Sequence, residues 1–185
     1  MGRVSFSNAE KSIEDIWSWY EDQKHALRDL RNAIIDEIIS PLSPANPKFV
    51  TLTLEELNSY FYDSFSELEH LVAFDIISAI EGNLRVDFLT RVYTKDKSTL
   101  GREFRNIYKL NGNKISLDND IIENWKTYLP ATKIDFGDLL GLLHYRHWLA
   151  HGRYWTLSKQ GRRYSVEEAY DIAEKIIDLL PAQAM

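Results

Sequence analysis

The sequence predicts an all-α fold, an up-and-down helical bundle of about five to six helices. Three observations predict it. Apolar residues recur at three-, four- and seven-residue intervals along most of the 185-residue chain. The prolines stand at 41, 44 and 47, then at 130 and 181, where helices are expected to stop. A Ser or Thr followed three residues later by Glu marks helix starts at Thr53-Glu56 and Ser165-Glu168.

The first helix is expected from Asn8 to Ile39, with an apolar stripe through Ile13, Trp17, Tyr20, Leu27, Leu30, Ile34 and Ile38. Acidic residues crowd its early turns, where the helix dipole favours them. The prolines at 41, 44 and 47 cannot continue a helix and read as a stiff connector. The second helix opens at Thr53. Its stripe runs through Leu57, Phe61, Phe65, Leu68, Val72, Ile76, Ile77, Ile80, Leu84, Phe88 and Val92. The phase survives Gly82-Asn83, so one long helix is expected rather than two.

A third helix is expected from Ser98 to Leu110, ahead of Asn111-Gly112-Asn113. A fourth runs from Asp118 to Leu129 and stops at Pro130. The fifth begins near Asp135 and carries Leu139, Leu140, Leu142, Leu143, Trp148 and Leu149. Gly152 suits its left-handed C-terminal position. Residues 153–164 form a basic, aromatic loop, and a last helix runs from Ser165 to Leu180. The expected organisation is an N-terminal helix over 1–40 packed on or extending the bundle, a connector over 41–52, and a helical domain over 53–185.

A chain of this length buries roughly 70% of its unfolded surface, so its core needs no covalent staple. It has no cysteine, which excludes disulfides, thiolate metal sites and cysteine nucleophiles. That, with no signal-peptide pattern and no apolar run near ~20 residues, leads to the expectation of a cytoplasmic protein without a membrane partner. The net charge of −6 argues against a general nucleic-acid coat protein. The charge is segregated, however. Residues 85–114 carry eight bases (Arg85, Arg91, Lys95, Lys97, Arg102, Arg105, Lys109, Lys114) against three acids. Residues 146–163 carry Arg146, Arg153, Lys159, Arg162 and Arg163 against none. Two such segments suit one phosphate-binding surface on an otherwise acidic protein, and they equally suit solvated helix faces.

The segment Tyr145-Arg146-His147-Trp148-Leu149-Ala150-His151-Gly152-Arg153-Tyr154-Trp155 holds the densest chemistry. On a helix, His147 and His151 share a face one turn apart, whereas Arg146 points about 140° away from His151. Metal-free RNA cleavage needs a base for the 2′-hydroxyl, an acid for the leaving 5′-oxygen and a cation for the phosphate. His151 can serve as base or acid, and the Arg146 guanidinium can hold phosphate. One histidine does not easily make both transfers, so a two-fold dimer that pairs two motifs becomes part of the mechanism. Three other readings compete. His144, His147 and His151 have i, i+3, i+7 spacing that would suit zinc. The histidines would equally serve as inert packing residues. His147 would serve to orient its neighbours rather than move protons. Trp148, Tyr154 and Trp155 are expected in the core or a dimer interface ahead of stacking a base.

The run Arg146-His147-Trp148-Leu149-Ala150-His151-Gly152, late in an all-α chain, resembles the HEPN superfamily, with its arginine, polar residue and histidine four to six residues after the arginine. The resemblance implies a metal-independent endoribonuclease that leaves a 2′,3′-cyclic phosphate. It implies a homodimer with the motifs facing each other across a cleft, RNA as substrate, no cofactor and no metal. It also implies a toxin or phage-defence role, with a protein antitoxin as partner in the toxin case. Carried over, His151 is the acid–base residue, Arg146 the phosphate ligand and His147 the orienting polar residue. Glu81 is the candidate acidic residue from an earlier helix. Arg85, Arg91, Arg153 and Tyr154 are candidate RNA contacts. Some HEPN members are inactive dimerisation or nucleotide-binding modules, which is the alternative reading.

Overall fold

The computed structural model describes residues 3–7, 9, 11–40, 46–112, 114–157 and 162–181, apart from the side chains of 132–134. The fold is an all-α helical bundle. Among the described residues there are six α-helices and no strand: α1 (Ile13–Ile39), α2 (Leu54–Tyr93), α3 (Thr99–Asn111), α4 (Glu123–Tyr128), α5 (Lys133–Ala150) and α6 (Val166–Leu179). A π-helical segment, Leu117–Ile122, runs directly into α4. A 3₁₀ turn, Pro130–Thr132, runs into α5.

No helix of the described residues is long and apolar enough to cross a membrane.

The helix starts follow from their caps. The Thr53 N–H donates to Glu56 Oε2 at 2.8 Å, and the Glu56 N–H donates to Thr53 Oγ1 at 3.2 Å, a reciprocal box that opens α2. Ser165 and Glu168 form the same box at α6. Ser98 accepts from the Gly101 N–H and opens α3. α2 is continuous through Gly82-Asn83, as its unbroken apolar phase requires.

Two boundaries differ from expectation. α1 begins at Ile13 rather than Asn8, which lies outside the described residues. Pro130 does not open a gap. Proline tolerates a first-turn position because its missing N–H has no partner there anyway, and the chain turns straight into α5 at Lys133.

The chain divides into two compact units, and the division differs from the segments expected. One unit comprises 1–13 and 73–185, the other 14–72. The boundary therefore falls inside α2 rather than at the connector. In the smaller unit, Ile34, Phe49, Leu57 and Phe61 form a buried cluster, with Ile35, Leu52, Tyr60 and Phe65 against it. Leu30 and Ile38, both in the expected α1 stripe, remain exposed. In the larger unit, α4 packs on α3 and α5, and α5 packs on α6. Its core holds Ile76, Ile77, Ile80, Leu84 and Phe88 of α2 with Phe104, Trp125, Phe136, Leu139, Leu142 and Tyr145. Phe88 meets Phe104 at a ring separation of 4.7 Å, and Trp125 meets Phe136 at 5.5 Å.

Candidate functional site

Within the larger unit, α2, the π-helical segment and α5 line a half-open cavity of about 340 Å³, formed by Glu81, Leu117, Asp118, Leu143, His144, Arg146 and His147. α5 can present this set because its apolar residues face the core on one side. Leu139, Leu142, Tyr145 and Trp148 are buried, which turns Arg146 and His147 toward the cavity. The wider π turn brings Asp118 to the same cavity.

Glu81 is the charged hub of the cavity wall. Its Oε1 accepts from Arg85 Nε at 3.1 Å and from Arg85 Nη2 at 3.0 Å. Its Oε2 stands 3.8 Å from Arg146 Nη2, an ion pair beyond hydrogen-bond reach. The Arg146 guanidinium lies 5.2 Å from the ring centre of Phe74, two turns before Glu81 on α2. Arg146 Nε is buried with no acceptor among the described residues. The side chain as a whole is 35% exposed, so its Nε is covered while the rest of the guanidinium is open toward the cavity.

His151 follows the last turn of α5. The Gly152 N–H donates to the Leu149 carbonyl at 3.3 Å, and the Arg153 N–H donates to the Trp148 carbonyl at 3.1 Å. This pair of bonds is the Schellman ending, with Gly152 in the left-handed region at φ 79°. Arg153 is also left-handed, at φ 59°, a conformation that costs a side-chain-bearing residue energy. The loop then folds back, where Trp148 Nε1 donates to the Trp155 carbonyl at 2.7 Å. The His147 and His151 rings are 4.3 Å apart, and the Trp155 ring is 5.7 Å from His147 and 6.4 Å from His151.

The helix stays α-helical through Ala150, so Arg146 and His151 leave it in different directions. His147 links them: it lines the cavity beside Arg146 and touches His151 one turn on. His144, His147 and His151 are all exposed rather than packed in the core. Among the described residues, no group of three His, Cys, Asp or Glu is placed to hold a metal.

Of the other candidates, Arg85 is committed to Glu81 and to the Ile115 carbonyl, at 3.3 Å, and remains 42% exposed. Arg91 is internal. Its Nε donates to both carboxylate oxygens of buried Asp87, its Nη1 donates to Asp96 at 2.9 Å, and its guanidinium lies 5.2 Å from the Trp125 ring. Burial raises the Asp87 carboxyl above its ordinary range despite Arg91. Burial also works against the Asp96 carboxylate, but the Ser98 N–H and hydroxyl, with Arg91, outweigh it and hold its pKa below the ordinary value.

Trp148 is buried as expected, and Trp155 is half-buried. Tyr154, expected in a core or interface, is 82% exposed in the single chain, because the Schellman turn directs the chain outward before Trp155 folds back. Arg153 beside it is exposed. Arg162 pairs with Glu168 at 2.8 Å, and Arg163 lies over the Trp148 ring. Lys159 is outside the described residues.

Sequence reasoning passed over Asp118 and Phe74 as site residues. Phe74, Ser78, Glu81 and Arg85 fall on one face of α2 at i, i+4, i+7 and i+11, a spacing that signals Phe74 given Glu81. Asp118 had no local signal, because only the π turn carries it to the cavity. No protein-family model, curated protein or solved structure matches the chain.

Proposed function

We propose that the protein is a metal-independent endoribonuclease of the HEPN type that acts as a homodimer. The observation that supports this most is the convergence of Arg146, His147 and Glu81 on one cavity, with exposed His151 in ring contact with His147. In this reading a histidine takes the proton of a ribose 2′-hydroxyl, and the 2′-oxygen attacks phosphorus. The bond to the 5′-oxygen breaks as an acid delivers its proton, leaving a 2′,3′-cyclic phosphate and a 5′-hydroxyl. The Arg146 guanidinium stabilises the charge that accumulates on the phosphoryl oxygens. His147 holds His151 in place, and Glu81 positions Arg146.

The divergence of Arg146 and His151 on one helix is the reason for a dimer. A second copy supplies the second acid–base group and brings a cation to a histidine its own chain turns away. In this reading Arg153 and Tyr154, both exposed beside His151, hold the flanking RNA by its phosphate and by stacking. A toxin or defence role, with a protein antitoxin in the toxin case, is the corresponding biological setting. The competing reading, a non-catalytic dimerisation or nucleotide-binding module, draws on the anchoring of Arg146 to Glu81 and Phe74.

The deciding experiment is RNA cleavage in EDTA by wild type beside His151→Ala and Arg146→Ala, with end-group analysis and sedimentation. Cleavage by wild type alone, with cyclic-phosphate ends and a dimer in all three, is expected. No turnover by wild type on a broad RNA panel, or equal turnover by all three, overturns the assignment.

A further inference from the structure

A second cavity, of about 160 Å³, has Arg85 in its wall. It is lined by Val4, Arg85, Phe88, Leu89, Ile115 and Ile121. We propose that it binds a small monocarboxylate with a compact apolar body, the carboxylate on Arg85 and the body among Phe88, Leu89, Ile115 and Ile121.

The lining separates into two chemistries. Five of the six residues are apolar, and two of them, Phe88 at 1% exposure and Ile121 at 0%, belong to the core and form a fixed floor. Arg85, Phe88 and Leu89 stand at i, i+3 and i+4 on α2, so the cation and the apolar wall share one helix face. Val4 closes one side. Its N–H donates to Tyr93 Oη at 2.9 Å, and the Phe6 ring lies 6.4 Å from the Tyr93 ring, which ties the N-terminal segment over the end of α2.

Arg85 has donors to give. A guanidinium carries five N–H bonds. Nε and Nη2 each use one on Glu81 and Nη1 uses one on the Ile115 carbonyl, which leaves one on each terminal nitrogen among the described residues. Two N–H groups on adjacent terminal nitrogens match the two oxygens of a carboxylate. Ile115, whose carbonyl accepts from Nη1, itself lines the cavity, so the cationic end lies at the cavity edge.

Size selects the body. An apolar cavity of about 150 Å³ lined by Leu, Ile and Phe is sufficient for benzene. A ring or branched chain of about six carbons therefore fits, and a nucleotide does not. A ligand of this size in a half-open site is expected to bind with Kd on the order of 1 mM.

The test is titration of the full chain with sodium benzoate, followed by backbone-amide NMR, with benzamide and inorganic phosphate as controls. Benzoate is expected to shift amides around Leu89 and Ile115 saturably. Benzamide, which keeps the ring and loses the charge, is expected to bind at least tenfold more weakly, and phosphate not to bind there. Arg85→Met should abolish the preference for benzoate over benzamide. Should that variant fail to fold, Arg85→Lys keeps the charge and should keep the preference. Leu89→Trp, which fills the cavity, should abolish binding of both rings. No saturable shift with benzoate, equal affinity for benzamide, or shifts centred elsewhere overturns the proposal. None of these readouts needs RNA, so their failure and the failure of the nuclease reading are separate results.

Discussion

Glu81 on α2 and Arg146 on α5 pair in the wall of the larger cavity, Oε2 to Nη2 at 3.8 Å, while the other oxygen of Glu81 is held by Arg85. A carboxylate shared between two arginines draws the second guanidinium toward it. Under the nuclease reading, displacing Arg146 by about 1 Å costs up to ~100-fold in rate. Glu81→Ala is therefore expected to lower RNA cleavage about tenfold or more in kcat, and Glu81→Gln, which keeps an acceptor, to retain more activity than Ala. Steady-state kinetics on one RNA substrate decide it. Equal rates for Ala, Gln and wild type would remove Glu81 from the site.

The end of α5 supplies a pair of contrasting predictions. Gly152 has φ 79° and open space where a Cβ would be, so Gly152→Ala pays only the left-handed conformation, about 1–2 kcal/mol. Arg153 already carries that strain at φ 59°. Arg153→Gly relieves it, while the chain entropy of glycine and the loss of the side chain's own interaction work the other way, so a change within about 1 kcal/mol is expected. Urea melts should show the larger loss for Gly152→Ala. If Arg153 holds RNA, its glycine variant binds RNA more weakly at close to wild-type stability.

Gly141 is required for a different reason. The Tyr164 hydroxyl occupies the place a Cβ at 141 would take, and the Tyr164 ring lies 5.9 Å from that of Tyr145 on α5. Gly141→Ala must push Tyr164 away and is expected to cost about 1–3 kcal/mol. Tyr164→Phe removes the offending oxygen, so the double variant should recover part of the loss. A denaturation cycle over the four proteins measures that coupling, and strict additivity would show that the contact is not the cause.

Acid should weaken α6 through its cap. The Ser165 N–H holds the Glu168 carboxyl below the ordinary value of 4.5, burial opposes this, and the Arg162 guanidinium adds to it. A carboxyl whose folded pKa is depressed stabilises the fold above its unfolded pKa. That contribution is lost as pH falls through the folded value. Glu168→Gln is expected to lower the melting temperature by about 2 °C at pH 7, the size of one capping contribution. The gap to wild type should close as pH falls below the ordinary glutamate value of 4.5 and through the lower folded one. A gap that stays constant across that range would mean that charge is not what the cap uses.

The sequence by itself determined the helices and their ends. Periodicity carried α2 unbroken through Gly82-Asn83, Thr53-Glu56 and Ser165-Glu168 set two starts, and Gly152 set the end of α5. These are local matters, decided by side chains within one or two turns. The same locality placed His147 and His151 on one face, where their rings meet. Only the tertiary structure decided what the charged residues do. Arg85 and Arg91 look alike in sequence, yet Arg91 is enclosed by Asp87 and Asp96 whereas Arg85 pairs with Glu81 and lines the smaller cavity. Glu81 gains its meaning from Arg146, and Asp118 from a π turn that no spacing signals. Local pattern records which face of a helix is apolar, but a charge is assigned by whatever opposite charge packing brings within a few ångströms, and packing joins residues far apart in the chain.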